Sequence, residues 1–461
     1  MTRRALLAAG AIAVAVAAVA LGWGRGAPAP DGRNDARADA AAPRPNVLIV
    51  VTDDQRADQT LSVMPEVRRR FGRDGTTFTR AFATTPLCCP SRASIFTGQY
   101  AHNHGVVDNT DVGPLDHDTT MQSLLRDGGY LTGMFGKFFN AWDVTLSPPG
   151  FDRWATLDHG YHGAEFNVQG RMRRVPGSST EFIARTTVDF ITRAESDDER
   201  PWFAYVAVHA AHRAFEPSPP YRDAPVPPQR ATPATSERDR SDKPPYVRAQ
   251  RVDAPRARAL RRDQLRTLMS VDDLVGDVFD ALDRHDETRD TLAIFTSDNG
   301  FFWGEHGLTD KRLPYLPSTR VPLLVRWPGR VASGATDSRL AANVDVAPTV
   351  LDAAGIEPRH VVDGRSLLAD GARRLLLLEY MADPGYDVPA WSALQSRDLQ
   401  YVEYEGDGGV VFRELYDLVA DRWQVRSLLA GGRDDSRAAR LADVLARVRT
   451  CAGTTGPRAC P

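Results

Sequence analysis

Three apolar runs constrain this chain more than any other feature. Asn46-Val47-Leu48-Ile49-Val50-Val51 shows no polar alternation after its first residue, the mark of a strand buried on both faces. Residues 202–208 and 291–296 read the same way. Such strands belong to parallel sheets covered by helices. Between them lie helical patterns: Leu265, Leu268, Val271, Val275, Val278 and Leu282 recur at three and four along residues 257–284. Ser178-Ser179-Thr180-Glu181 fits a capping box for a helix over 182–194. Alternation of this kind up to about residue 370 predicts an α/β fold, a mostly parallel sheet sandwiched by helices over residues 45–370. Residues 371–461 change character. Short alternating runs at 391–394, 399–404 and 410–415, then a helical pattern at 435–449, predict a smaller α+β domain with an antiparallel sheet.

The remaining segments read differently. Arg3 and Arg4 precede an uncharged apolar stretch over 5–23, so residues 1–25 read as an export signal, of twin-arginine type by the paired arginines, or as an uncleaved anchor. Residues 26–44 have a linker's composition. The chain is therefore expected to be secreted or anchored at the cell surface, touching membrane only through its N-terminus. Residues 213–256, dense in proline and charge, read as an insertion or a lid over the site. A net charge of −3 argues against nucleic acid as a partner. Of four cysteines, Cys451 and Cys460 flank a turn-rich loop and suit a disulfide in an oxidising compartment.

In open α/β sheets ligands collect at the carboxyl ends of strands. Asp53-Asp54 stand at the end of the first run and Asp298-Asn299 at the end of the third. Either pair alone is read as a turn as easily as a site; together they form the oxygen-rich set a hard divalent cation takes. Leu87-Cys88-Cys89-Pro90-Ser91-Arg92 places two thiols where Pro90 opens a helix. Free N–H groups there, and the Arg92 fork beside them, favour an oxyanion.

Cys88-x-Pro90-Ser91-Arg92-x-x-x-x-Thr97-Gly98 resembles the signature of the type I sulfatases, members of the alkaline-phosphatase-like superfamily. The resemblance implies that Cys88 is oxidised to formylglycine by a formylglycine-generating enzyme, giving an aldehyde hydrate that attacks sulfur. It implies one Ca²⁺, or Mg²⁺, held by Asp53, Asp54, Asp298, Asn299 and the Cys88-derived oxygen. By position it implies that Lys137 and Lys311 hold sulfate oxygens, and that His212 or Lys311 protonates the leaving oxygen. Many sulfatases carry a histidine two residues after the first lysine; here Phe139 stands there, leaving Asn140, His209 or a water as base. The run around Cys88, the His102-Asn103-His104 triplet and Ser270-Val271-Asp272-Asp273 are most similar to N-acetylglucosamine-6-sulfatases and heparan endosulfatases. That implies a sulfated small molecule or glycan as substrate, either a sugar 6-O-sulfate such as a glycosaminoglycan's or an aryl sulfate, with His102 and His104 near the sugar. Two rival functions are a phosphonate or phosphodiester hydrolase of the same superfamily and a non-catalytic binder of sulfated glycans.

Overall fold

The computed structural model describes residues 44–197 and 200–461. The expected signal and nearly all of the linker lie outside the described residues. Among these, no helix is long and apolar enough to cross a membrane.

Sixteen strands follow in chain order: β1 Asn46–Thr52, β2 Thr76–Phe82, β3 Leu131–Lys137, β4 Arg153–Leu157, β5 Glu165–Val168, β6 Arg171–Arg174, β7 Trp202–Ala207 and β8 Thr291–Ser297. Then come β9 Phe302–Trp303, β10 Thr309–Asp310, β11 Leu323–Arg326, β12 Ala335–Ala342, β13 Leu376–Tyr380, β14 Trp391–Gln395, β15 Leu399–Gly406 and β16 Gly409–Asp417. The large sheet has the order β12-β2-β11-β8-β1-β7-β3-β4-β5-β6. Its centre, β8-β1-β7-β3-β4, is parallel throughout, whereas β11 runs against both its neighbours and β5-β6 forms an antiparallel edge.

The central strands are buried on both faces, as their composition requires. On β1, Leu48 and Val50 join a core under the Ala254–Arg284 helix, while Val47, Ile49 and Val51 face a second core with Phe96, Tyr205 and Ile294. Register then fixes what meets at the carboxyl ends. Thr52 pairs with Ser297, so Asp53 and Asp298 come next on adjacent strands. Ala207 lies opposite Val51 on one side and Gly136 on the other, bringing Lys137 to the same rim. Gly136 has φ of +106°, and a Cβ there would meet the Ala207 carbonyl oxygen at 1.9 Å, so this close approach requires glycine.

The C-terminal sheet, β13-β14-β15-β16, is antiparallel and carries the Ser436–Val448 helix. It shares a core with the first part of the chain: Phe82, Leu87, Tyr100 and Val344 pack with Leu376, Leu378 and Trp391. The expected disulfide, Cys451–Cys460, is present. The proline-rich segment is wedged between the two sheets by buried charges. Arg240 donates to the His306 carbonyl, Glu237 bonds His306 Nδ1 at 2.7 Å, and Lys243 lies 2.9 Å from Asp242 and donates to the Val425 carbonyl at 3.1 Å.

Candidate active site

Asp53, Asp54, Asp298 and Asn299 form one buried group at the ends of β1 and β8. Oxygens of the three carboxylates all lie within 4.8 Å of one another. Asp54 turns with φ of +61°, which directs its Oδ1 to the Asn299 amide nitrogen at 2.6 Å while its own N–H meets Asp298 Oδ1 at 3.1 Å. Asn299 Oδ1 is buried and has no hydrogen-bond partner among the described residues.

Cys88 opens the Cys88–Thr97 helix, which is buried along its whole length and closed by Gly98 in the left-handed conformation. The Cys88 thiol points into the acidic group: Lys311 Nζ donates to its Sγ at 2.9 Å, and Asp53 Oδ1 lies 3.6 Å away. Arg92, one turn on, is fully buried. Its Nε donates to Asp298 Oδ2 at 3.0 Å, Nη2 lies 2.9 Å from the same oxygen, and Nη1 donates to the Lys137 carbonyl at 2.8 Å. Lys137 pairs with Asp53, and Lys311 with Asp54. The helix is held from below by Asn343, whose amide nitrogen donates to Ser91 Oγ at 2.9 Å and whose oxygen accepts from the Thr84 N–H at 3.0 Å.

The end of β7 supplies two imidazoles. Nδ1 of His212 contacts the Arg213 carbonyl at 2.8 Å, which can only accept, so Nδ1 carries the proton. His212 Nε2 is left facing Asp54 Oδ2 at 4.0 Å. His209 uses Nε2 on that same carbonyl at 2.9 Å; its Nδ1 is buried without a partner, and its ring packs edge-on against Tyr161.

Burial and mutual charge set the protonation. Burial alone would raise Asp53, but Lys137, His212, Lys311 and Arg92 together hold it well below the usual carboxylate range. Burial lifts Asp54 to about 6 against the pull of Lys311. The Cys88 thiol is pushed far up, mainly by burial and by Asp53. A bare thiol here therefore stays protonated and weakly nucleophilic. Burial lowers His212 to about 4. Lys311 is driven well above its ordinary value, because Asp54 and Cys88 outweigh its desolvation.

Four expected substrate contacts fall out differently. Asn140 is exposed at the mouth, its N–H bonded to Cys89 Sγ at 3.2 Å. His209 lines the site as described. His102 and His104 do not offer a free nitrogen. His102 is bound to Glu379 at 2.9 Å through Nδ1 and to the Cys451 carbonyl at 2.9 Å through Nε2. His104 is buried, with Nε2 on Ser94 Oγ and Nδ1 accepting the Val106 N–H, both at 3.1 Å. The expectation that this pair reads a sugar is corrected: both rings join elements of the fold. Phe139 packs into the aromatic core against Phe96 and Phe138, so position 139 supplies no base. Asn109, whose Oδ1 accepts the Cys89 N–H at 2.9 Å at the helix start, was not visible in sequence; an asparagine in a polar loop carries no distinguishing signal.

The parallel sheet, its antiparallel companion and the Cys88 helix aimed at converging strand ends are the architecture of the alkaline-phosphatase-like superfamily. Within it the chain belongs to the sulfatase family, whose profile matches residues 45–356, and it is a sulfuric ester hydrolase. A second profile, that of the N-sulphoglucosamine sulphohydrolase C-terminal region, matches residues 304–450. The human N-acetylglucosamine-6-sulfatase is 30% identical, with 90% of this chain and 86% of the relative aligned. The N-acetylglucosamine-6-O-sulfatase of Bacteroides thetaiotaomicron is 27% identical over 84% of this chain and 82% of that protein. An extracellular sulfatase of Drosophila melanogaster is 32% identical over 70% of this chain, which spans only 31% of that longer protein. Among solved structures, one in complex with its substrate D-glucosamine-2-N,6-O-disulfate superposes with a TM-score of 0.79 at 24% identity, covering 88% of this chain and 97% of the other. The phosphonate monoester hydrolase of Agrobacterium radiobacter gives 0.70 at 22% identity over 88% and 95%, so the fold is shared across both chemistries.

Proposed function

We propose that the protein is an exported, cation-dependent sulfatase that removes a 6-O-sulfate from an amino sugar, using formylglycine at position 88. The observation that carries this reading is the single buried group of Cys88, Lys311, Arg92 and three carboxylates. The donor set fits a hard divalent cation, Ca²⁺ or Mg²⁺: three buried carboxylates and an orphaned amide oxygen, Asn299 Oδ1, are the ligands such an ion takes. Asp53, Asp54, Asp298 and Asn299 would hold it, and it supplies positive charge against which sulfate oxygens are polarised. Formylglycine supplies a hydrate with two hydroxyls on one carbon, one to take the sulfuryl group and one whose deprotonation restores the aldehyde.

The chain's own residues do the rest. Arg92, fixed by Asp298 and the Lys137 carbonyl, orients the helix start and pulls Asp298 down against the burial and the Asp53 charge that raise it. Lys137 and Lys311, each on a carboxylate and the latter beside Cys88, offer cationic donors to the three sulfate oxygens. His212 keeps Nδ1–H on a backbone carbonyl and presents Nε2, the group suited to exchange a proton with the ester oxygen. The sugar preference comes from the human and Bacteroides relatives, and export from the extracellular relatives together with the N-terminal composition.

The test is mass spectrometry of the peptide bearing Cys88 from protein co-produced with a formylglycine-generating enzyme, alongside rates on 6-O-sulfated N-acetylglucosamine, a 2-O-sulfated sugar, an aryl sulfate and an aryl phosphodiester. The aldehyde is expected at position 88 and the highest kcat/KM on the 6-O-sulfate. Full turnover with Cys88 still a thiol, or preference for the phosphodiester, would overturn the reading.

A further inference from the structure

Outside the bond-breaking site three cavities share lining residues one after another, and the proline-rich segment walls the first and touches the second. Taken as one groove, they have wide ends of about 420 and 350 Å³ and a narrow waist of about 80 Å³. Arg422 lines all three parts, Trp423 the first and the waist, and Arg320 the waist and the far end. Each end has the volume of a small-ligand site.

The groove is cationic on a chain whose net charge is −3. Arg80, Arg230, Arg261, Arg320, Arg397 and Arg422 line it. Two carboxylates accompany them. Glu305 is spent on buried Arg56 at 2.8 Å, and Asp58 lies 3.5 Å from Arg320. Among the described residues no carboxylate comes within ion-pairing distance of the other five lining arginines. Three guanidinium nitrogens, Arg80 Nη1, Arg261 Nε and Arg320 Nε, are buried with no hydrogen-bond partner among the described residues. Burial and the charge of Arg56 depress Arg261, as an unneutralised surplus of positive charge would. Unpaired N–H groups of this kind are costly unless an acceptor arrives. Trp423, half-buried with Arg422 stacked on it at 4.5 Å, adds an apolar plate of the sort a sugar face covers.

We propose that this groove binds a stretch of an extended sulfated glycan, as a site for the polymer separate from the site for the ester. The inference rests on the sulfated-glycan reading above and adds a second contact region to it. Position supports a shared ligand. Asp58, which lines the groove, follows Asp54 by four residues, so their Cα atoms lie within about 14 Å of each other. Arginine forks suit sulfate oxygens, and spaced arginines suit a polymer that presents them repeatedly. The proline-rich segment thus acts as one wall of a polymer groove through Pro227, Pro228 and Arg230.

The test uses the full-length chain carrying Arg230→Ala, Arg397→Ala and Arg422→Ala together, three exposed side chains outside the catalytic group. Binding to immobilised heparin is measured in a Cys88→Ala background, so that it does not depend on turnover. The triple variant should elute at lower salt and bind soluble heparin at least about tenfold more weakly. In the active background kcat/KM on a long sulfated polysaccharide should fall by a similar factor, while kcat/KM on a small aryl sulfate stays unchanged. Trp423→Ala should weaken heparin binding without moving the aryl sulfate rate. Equal heparin affinity in wild type and triple variant would overturn the proposal, as would wild-type protein that retains duplex DNA as tightly as heparin. A protein without any sulfatase activity whose heparin binding still depends on these arginines would refute the catalytic reading and leave the groove standing.

Discussion

Removing Arg92 gives the sharpest reading of how the buried charges support one another. The side chain is fully buried and makes one aligned hydrogen bond to Asp298 at 3.0 Å, a second close contact at 2.9 Å, and a bond to the Lys137 carbonyl at 2.8 Å. Arg92→Ala removes that counter-charge from Asp298, a carboxyl that burial and Asp53 already push up, and leaves a buried carbonyl unsatisfied. Breaking a buried pair from one side costs about 3–5 kcal/mol. Arg92→Lys keeps a charge but not the fork, and should lose about 1.5–3 kcal/mol, one charge-assisted hydrogen bond. The assay is urea unfolding followed by tryptophan fluorescence, in chelator and then in excess Ca²⁺. Added cation should recover part of the Arg92→Ala loss, because it neutralises the carboxylate that arginine no longer meets; a ligand at a hundred times its Kd adds about 2.7 kcal/mol. Stabilisation by Ca²⁺ should therefore be larger in Arg92→Ala than in wild type. A loss below about 1 kcal/mol in chelator, or a cation effect no larger in the variant, would refute the reasoning.

Other outcomes follow from neighbouring groups. Cys88→Ala should abolish turnover of an aryl sulfate, while Cys89→Ala, which removes only a packed thiol accepting the Asn140 N–H, should keep most of it; equal turnover in both would misplace the nucleophile. Burial opposes protonation of His102, but its hydrogen bond to Glu379 prevails and raises it above the ordinary 6.5. The stability gained is therefore complete below about pH 6.5 and is lost as pH rises through the raised value. Unfolding free energies of wild type and His102→Gln, compared at about pH 6 and pH 8.5, should diverge more at the lower pH, and a constant difference would contradict this. Asp272→Ala removes the acceptor of the Glu66 and Val67 N–H groups, at 3.0 and 2.9 Å, and should cost about 1–3 kcal/mol in chemical denaturation.

Much of the fold was legible because its strongest signals are local. The apolar runs became β1, β7 and β8, and residues at their ends became one rim, since carboxyl ends of parallel neighbours meet by geometry. Long-range pairing was not legible. Nothing near residue 340 announces that β12 lies beside β2, or that β11 enters the sheet reversed. The histidine pair misled for the same reason. His102 is explained only by Glu379 and Cys451, far along the chain. Composition suggested an insertion or a lid at 213–256, and buried Arg240 and Lys243 tie that segment to partners invisible from its own sequence.

The burial of Cys88 has a consequence for the order of events in the cell. Its side chain has no accessible surface, and the helix that carries it is buried throughout. The turn after that helix is clasped by the Cys451–Cys460 loop, where the Cys451 carbonyl accepts from both His102 and Asn103 at 2.9 Å. On the formylglycine reading proposed above, the enzyme that converts the thiol would have to reach it before the residues around Cys451 close that clasp. Maturation would then be a race with folding, and molecules that fold first would keep an inert thiol sealed inside.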